Sequence, residues 1–155
     1  MKLTIKSLLL GAVAWSAMNT LSAIVSLAMQ GRGFAPNAGL LVLIFTVGAA
    51  LAYPLSRALL YFTPYKWLPT QRFAAAFIVL CGSTVGITAM LFAYQFQDYY
   101  SQWHDDHLSK RLIFETVFTM LSACYQFLVL ALRNYFPVGF IALLGASWLF
   151  AAKRI

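Results

Sequence analysis

The polar residues best suited to chemistry occur in a row within one otherwise apolar stretch. They lie at i, i+4, i+7, i+11 and i+18, namely Glu115, Thr119, Ser122, Gln126 and Arg133. On one α-helix these spacings place the side chains on a single face, which we call the polar seam. Ionisable and amide groups are costly in hydrocarbon, so they usually face a partner or a wet cavity. The seam predicts a proton or solute path with Glu115 at its mouth, or a structural arrangement in which Glu115 pairs with Arg111.

A second polar group, His104-Asp105-Asp106-His107, has a spacing that could hold a metal. Imidazole and carboxylate ligands suit zinc or copper, and histidines three residues apart share a helical face. A metal site needs more ligands, so Asp98 or Glu115 would have to complete it. The same four residues are also typical of a solvated loop or of a sensor of external pH. The loop is the simpler interpretation, and we predict no metal or other cofactor.

The remaining reactive residues favour a non-enzymatic protein. Cys81 and Cys124 do not form a CxxC pair, and each is expected to behave as a small buried apolar residue. No histidine lies in an apolar stretch, which excludes a membrane haem held by two histidines. The sequence contains no Walker loop and no HExxH motif.

The composition indicates a membrane protein. Of 155 residues, 11 are Lys or Arg and 4 are Asp or Glu, while 62% are hydrophobic and the mean hydropathy is +0.78. Soluble domains carry about 25% charged residues, far more than this chain has, so its polar residues could not cover a water-exposed surface. Its uncharged stretches are residues 7–31, 33–56, 73–97, 116–132 and 134–152. A bilayer core of roughly 30 Å is crossed by about 20 apolar residues in a helix.

The predicted fold is an all-α integral membrane protein, a bundle of four to five transmembrane helices with short loops and no soluble domain. Helices are expected at 7–29, 39–62, 72–94 and 112–132, with a short fifth at 137–152, in one membrane domain over residues 1–155. If the fifth segment re-enters the membrane, more Lys and Arg residues lie on the cytoplasmic side, which favours re-entry. The segment is apolar around its whole circumference, however, which favours a membrane-spanning helix. We expect a tight hairpin at residues 133–137, and Pro54 should kink the second helix.

The basic residues predict the orientation, because short loops rich in Lys and Arg stay in the cytoplasm. With the N-terminus inside a bacterial inner membrane, the internal basic residues are Lys2, Lys6, Arg57, Lys66, Arg72 and Arg133. The net charge of +7 then follows from orientation and requires no nucleic acid. Arg57 is expected to reach the headgroups, and the positive rim on this side could bind lipid.

Two stripes of small residues predict close helix packing. In the first helix they are Ala12, Ser16, Asn19, Ala23 and Ser26, where Asn19 can hydrogen-bond across the interface. In the third helix they are Ala75, Gly82, Gly86, Ala89 and Ala93, which include a GxxxG motif. Small residues let helix backbones approach closely in lipid. The stripes serve packing within the chain, or docking of another membrane subunit or a second copy.

Aromatic residues cluster at the predicted helix ends, as is typical of the membrane interface. One cluster is Tyr61, Phe62, Tyr65 and Trp67, and the other is Tyr94, Phe96, Tyr99, Tyr100 and Trp103. The function expected from these features is a non-enzymatic accessory or assembly subunit, surrounded by membrane lipids and packed against other membrane proteins. The alternative is a component for small-solute transport or sensing that uses the polar seam and the external acidic and aromatic loop.

Overall fold

The computed structural model of the protein describes residues 4–33, 35–64, 67–101 and 110–152. These residues form five α-helices and no strand: α1 (Ile5–Met29), α2 (Ala38–Tyr61), α3 (Pro69–Ser101), α4 (Lys110–Gln126) and α5 (Val138–Ala152). A π-helix (Phe127–Ala131) and a 3-10 helix (Leu132–Tyr135) continue the chain after α4.

Four helical segments are long and apolar enough to cross a membrane. They are α1, α2, α3 and the continuous segment Lys110–Tyr135, while α5 is a shorter apolar helix of 15 residues. The prediction of an all-α membrane protein is therefore confirmed. At 1.5 Å per residue, α5 is roughly 22 Å long, so whether it spans the bilayer stays a prediction.

Helix α3 is longer than the sequence predicted. It begins at Pro69 instead of residue 72 and continues to Ser101 instead of ending at Tyr94. Its start is favoured by proline in the first helical position and by the side chain of Gln71, whose Oε1 accepts a 2.9 Å hydrogen bond from the N–H of Leu68. Residues 94–101 contain no glycine or proline that would end the helix, although their polarity is typical of a loop.

The turn that follows α1 requires a glycine. Gly31 has φ 68°, a left-handed conformation that other residues rarely adopt. The N–H of Gly31 donates to the carbonyl of Ala28, and that of Arg32 donates to the carbonyl of Leu27, at 3.0 and 2.9 Å. This pair of bonds satisfies carbonyls at the helix end and turns the chain towards α2.

The chain forms two compact units. One consists of the residues before Ala89 together with those after Arg133, and it contains α1, α2, the first part of α3 and α5. Its core joins side chains from all four helices, namely Trp15, Ala49, Leu60, Ala76, Leu80, Leu143 and Phe150. Helix α2 continues through Pro54, and the predicted kink stays a prediction, as does the single domain.

The second unit, Ala89–Arg133, contains the last part of α3 and all of α4. The rings of Phe92 and Phe127 lie 5.8 Å apart, and Ala123 is fully buried. In the most apolar 18-residue stretch of Lys110–Tyr135, only 11% is buried, compared with 28% in the corresponding stretch of α1 and 33% in that of α2. Helix α4 therefore presents most of its apolar side chains at the surface of the chain.

Candidate functional site

The N-terminal part of the polar seam contains an ion pair. Oε1 of the half-buried Glu115 accepts a hydrogen bond of 2.8 Å from Nε of Arg111, which is 76% exposed. One turn further, Oγ1 of Thr119 donates to the backbone carbonyl of Glu115 at 2.7 Å. The pairing that the sequence offered as the structural interpretation is thus formed within α4.

The C-terminal part of the polar seam departs from a regular α-helix. Ser122 is exposed and Gln126 is half-buried, and the helix becomes a π-helix directly after Gln126. A π-helix and a 3-10 helix have different numbers of residues per turn from an α-helix. The α-helical spacing therefore holds from Glu115 to Gln126 and does not extend to the exposed Arg133. Use of the seam for transport or sensing stays a prediction.

The predicted histidine and aspartate cluster, His104-Asp105-Asp106-His107, lies outside the described residues. Within the described part of the chain, no group of three His, Cys, Asp or Glu residues is close enough to hold a metal ion. The cysteines differ from each other: Cys81 is half-buried and Cys124 is exposed. The expectation that both are buried is wrong for Cys124, because the weakly packed α4 turns that side chain to the surface.

The small-residue stripe of α1 lies against other parts of the same chain. Ser16, Asn19, Ala23 and Ser26 are buried, and Ala12 is half-buried. Oγ of Ser16 donates to the carbonyl of Thr46 in α2 at 2.9 Å, and the hydroxyls of Thr20 and Thr46 are 2.7 Å apart. Nδ2 of Asn19 donates to the carbonyl of Trp15 in its own helix. The bonds across this interface therefore come from hydroxyls rather than from Asn19.

A buried polar cluster joins α1 to the segment that precedes α5. Asn134 is 1% exposed, and its Oδ1 accepts from Oγ of Ser26 at 3.2 Å and from Nε2 of Gln30 at 3.0 Å. Its carbonyl accepts from Oγ of Ser22, which in turn accepts from the N–H of Gly139, both at 2.9 Å. The sequence assigned Asn134 only to a turn, and no local pattern indicated that it lies against α1.

The two faces of α3 differ in their surroundings. Ala76, Leu80, Thr84 and Thr88, each four residues from the next, are buried. Nε1 of Trp15 donates to Oγ1 of Thr84 at 3.0 Å, and a Cβ atom added at Gly48 of α2 would collide with Thr88. This face packs within the chain and includes none of the residues of the predicted α3 stripe.

The GxxxG residues of α3 lie on an open face. Gly82 and Gly86 are exposed, and no heavy atom lies within 4 Å of a Cβ atom added at either position. The neighbouring Ile78 and Met90 are 68% and 73% exposed. The alanines of the stripe are less exposed: Ala75 and Ala89 are half-buried, and Ala93 is buried. We refer to the surface around Gly82 and Gly86 as the open α3 face.

The end of the bundle where α2 finishes has exposed aromatic rings and one buried cation. Tyr61 and Phe62 are 70% and 81% exposed, as expected at a membrane interface. Arg57, one turn earlier, is only 7% exposed, and its guanidinium carbon lies 5.0 Å from the ring centroid of Phe150. The side chain of Arg57 therefore packs against α5, and its contact with lipid headgroups stays a prediction.

These features make two kinds of interaction chemically feasible: close contact of another helix at the open α3 face, and binding of an anion near Arg57. Comparisons with protein-family models, with curated proteins and with solved structures find no match to this chain. The functional argument therefore rests on the geometry of the chain and on its sequence.

Proposed function

We propose that this protein is a non-enzymatic accessory or assembly subunit that packs against other membrane proteins through the open α3 face. The observation that carries the proposal is the empty space beside Gly82 and Gly86. Glycine is among the poorest helix formers, costing about 1 kcal/mol relative to alanine in a helix interior. No residue that the structure describes uses the space that the two glycines provide, so a helix from outside is the natural occupant.

The physical basis of such docking is specific to lipid. Lipid tails are as apolar as leucine side chains, so helices associate through van der Waals contact, and small residues permit the closest approach. The exposed apolar residues of α4 are less informative, because contact with lipid alone would require them. The missing side chains at Gly82 and Gly86 are what distinguish a protein contact from a lipid contact.

The proposal predicts that bulky residues on the open α3 face abolish association without unfolding the protein. The variant is Gly82→Leu with Gly86→Leu, and the matched control is Gly39→Leu with Gly145→Leu, which adds the same two side chains at exposed glycines of α2 and α5. Membranes that contain each protein are extracted gently and analysed by blue-native electrophoresis. The wild type and the control are expected in a complex of higher mass, and the double variant as a monomer with an unchanged melting temperature.

Two results would contradict the proposal. If the wild type migrates only as a monomer, it does not associate with another membrane protein. If the double variant stays in the complex, the association does not use this face. Complexes that contain only this chain would identify the partner as a second copy.

We further propose that the protein lies in a bacterial inner membrane with its N-terminus in the cytoplasm. The distribution of Lys and Arg between the loops supports this orientation. A membrane-impermeant thiol reagent should not label Thr4→Cys in intact cells when Cys81 and Cys124 are replaced by alanine, and should label it after lysis. Labelling before lysis would show that the N-terminus lies outside the cytoplasm and would contradict the proposed orientation.

A further inference from the structure

The side chain of Arg57 is largely buried, and its guanidinium has no anionic partner from its own unit. The residue is 7% exposed, and its described contact is the ring of Phe150 at 5.0 Å. No hydrogen bond or ion pair connects Arg57 to any residue that the structure describes. Arginine stays charged and has five N–H donors, so the ring alone leaves its donors without acceptors.

A buried charge of this kind requires compensation. Removing a guanidinium from water costs several times what one cation–π contact returns. The carbonyls at the end of α2, one turn away, offer only the partial negative charge of a helix C-terminus. An anion that contacts the exposed fraction of Arg57 would supply the missing charge and the missing acceptors together.

The acidic residues of this chain belong to a different part of the sequence. All four, namely Asp98, Asp105, Asp106 and Glu115, lie in or beside the connection between α3 and α4. Arg57 precedes the turn between α2 and α3, and Asp98, the first of these acids, comes only 41 residues later in the sequence. Glu115 already accepts a hydrogen bond from Arg111.

Arg57 lies close to the end of α2 that is expected at the membrane interface. Four residues separate it from Tyr61, which corresponds to about 6 Å along α2, and the exposed rings of Tyr61 and Phe62 are typical of the interface. At this same end of the bundle, an open cleft of ≈ 450 Å³ lies between the start of α3 and the end of α5. Arg72 and Trp148 line the cleft, so a second guanidinium is present beside it.

We infer that Arg57 anchors the phosphate of an anionic phospholipid at the end of the bundle formed by α2, α3 and α5. Arginine suits this role because its planar donors match the oxygens of a phosphate. Basic pockets between membrane helices bind anionic headgroups in the same way. The inference is independent of the open α3 face, since it concerns a different surface and a lipid rather than a protein.

The test compares ligands and variants in purified protein. Phosphatidylglycerol, phosphatidylcholine or inorganic phosphate is added to the protein in an uncharged detergent, and the melting temperature is measured. The variant is Arg57→Met, which removes the charge at similar volume. The control is Arg32→Met, which removes an exposed charge from the turn between α1 and α2.

Phosphatidylglycerol at one hundred times its Kd should raise the wild-type melting temperature by roughly 5–10 °C. Phosphatidylcholine should have no such effect, the Arg57→Met variant should lose the shift, and the Arg32→Met control should keep it. Without anionic lipid, the Arg57→Met variant should melt at or above the wild type, because an uncompensated buried charge has been removed. Arg57→Lys should keep a smaller shift, since it keeps the charge and loses the planar donors.

The ligands also distinguish the source of the phosphate. An equal shift with inorganic phosphate that depends on Arg57 would support the anion site and assign it to a soluble phosphate. A phosphatidylglycerol shift that survives in the Arg57→Met variant would overturn the inference, as would equal shifts with both phospholipids. An Arg57→Met variant that cannot fold in uncharged detergent would also overturn it, because Arg57 would then be compensated within the chain.

Discussion

Gly48 of α2 and Gly82 of α3 are glycines of membrane helices in the same compact unit, yet their surroundings are opposite. A Cβ atom added at Gly48 would collide with Oγ1 of Thr88 and would lie 3.1 Å from its Cα. A Cβ atom added at Gly82 would have no heavy atom within 4 Å. Gly48 therefore permits a contact between two helices of this chain, whereas no part of the chain that the structure describes fills the room beside Gly82.

The contrast extends to the polar residues of the two regions. Elsewhere in the same unit, Ser22 and Ser26 are buried, and each donates a hydrogen bond to the buried Asn134. Around Gly82 the neighbouring exposed residues are the apolar Ile78 and Met90. Small residues thus indicate that a close approach is possible, and the surrounding structure determines whether the same chain makes it.

The largest effect is expected from filling the space at Gly48. Gly48→Leu should lower the free energy of unfolding by about 3 kcal/mol, because α2 and α3 must move apart and overpacking is costly. Chemical denaturation in detergent measures the change. The matched control is Gly39→Leu in the same helix, where nothing lies within 4 Å. If both variants lost the same stability, the packed region would not differ from open surface.

A smaller loss is expected from the buried polar cluster. Asn134→Ala should lower the free energy of unfolding by about 1–2 kcal/mol, since Ser26 and Gln30 lose their shared acceptor in a buried site. Asn37→Ala is the control, because Asn37 is exposed and makes no capping hydrogen bond through its side chain. An Asn134→Ala variant as stable as the wild type would show that the cluster does not hold α1 in place.

The smallest effect is expected on the open α3 face. Gly82→Ala should leave the free energy of unfolding unchanged or raise it by up to about 1 kcal/mol, because alanine is the better helix former. Gly86→Ala should behave in the same way, and both can be measured by the same denaturation. A clear loss of stability in the isolated monomer would mean that this face packs within the chain, and the comparison with Gly48 would fail.

Much of the fold was predictable because membrane helices follow from local composition. The uncharged stretches correspond to α1, α2, α3 and α4, since backbone groups in lipid must be bonded within each helix. The prediction ends α3 at Tyr94, seven residues before the structure does, because residues 94–101 are too polar for a membrane span and yet contain no glycine or proline that would end a helix. The π-helix after Gln126 has no simple sequence pattern, so the polar seam was extended to Arg133 on an α-helical spacing that ends at Gln126.

The candidate sites were less predictable because they depend on contacts between distant segments. Asn134 is 108 residues from Ser26 in the sequence and hydrogen-bonds to it in the fold. Arg57 resembles any basic residue near a helix end, and only the tertiary structure shows that it is largely buried and lies against Phe150. A periodic pattern identifies the face of a helix and gives no information about its neighbour.

The sequence by itself determined that this is a membrane protein built of apolar helices, because 15 charged residues among 155 cannot cover a surface in water. It also determined where small residues line the helices. The tertiary structure decided which of those lines are already occupied: the α1 stripe packs against α2 and Asn134, and Gly82 and Gly86 stay open. The physical reason is that lipid and protein present equally apolar surroundings to a helix, so side-chain polarity does not distinguish them and only the packed arrangement does.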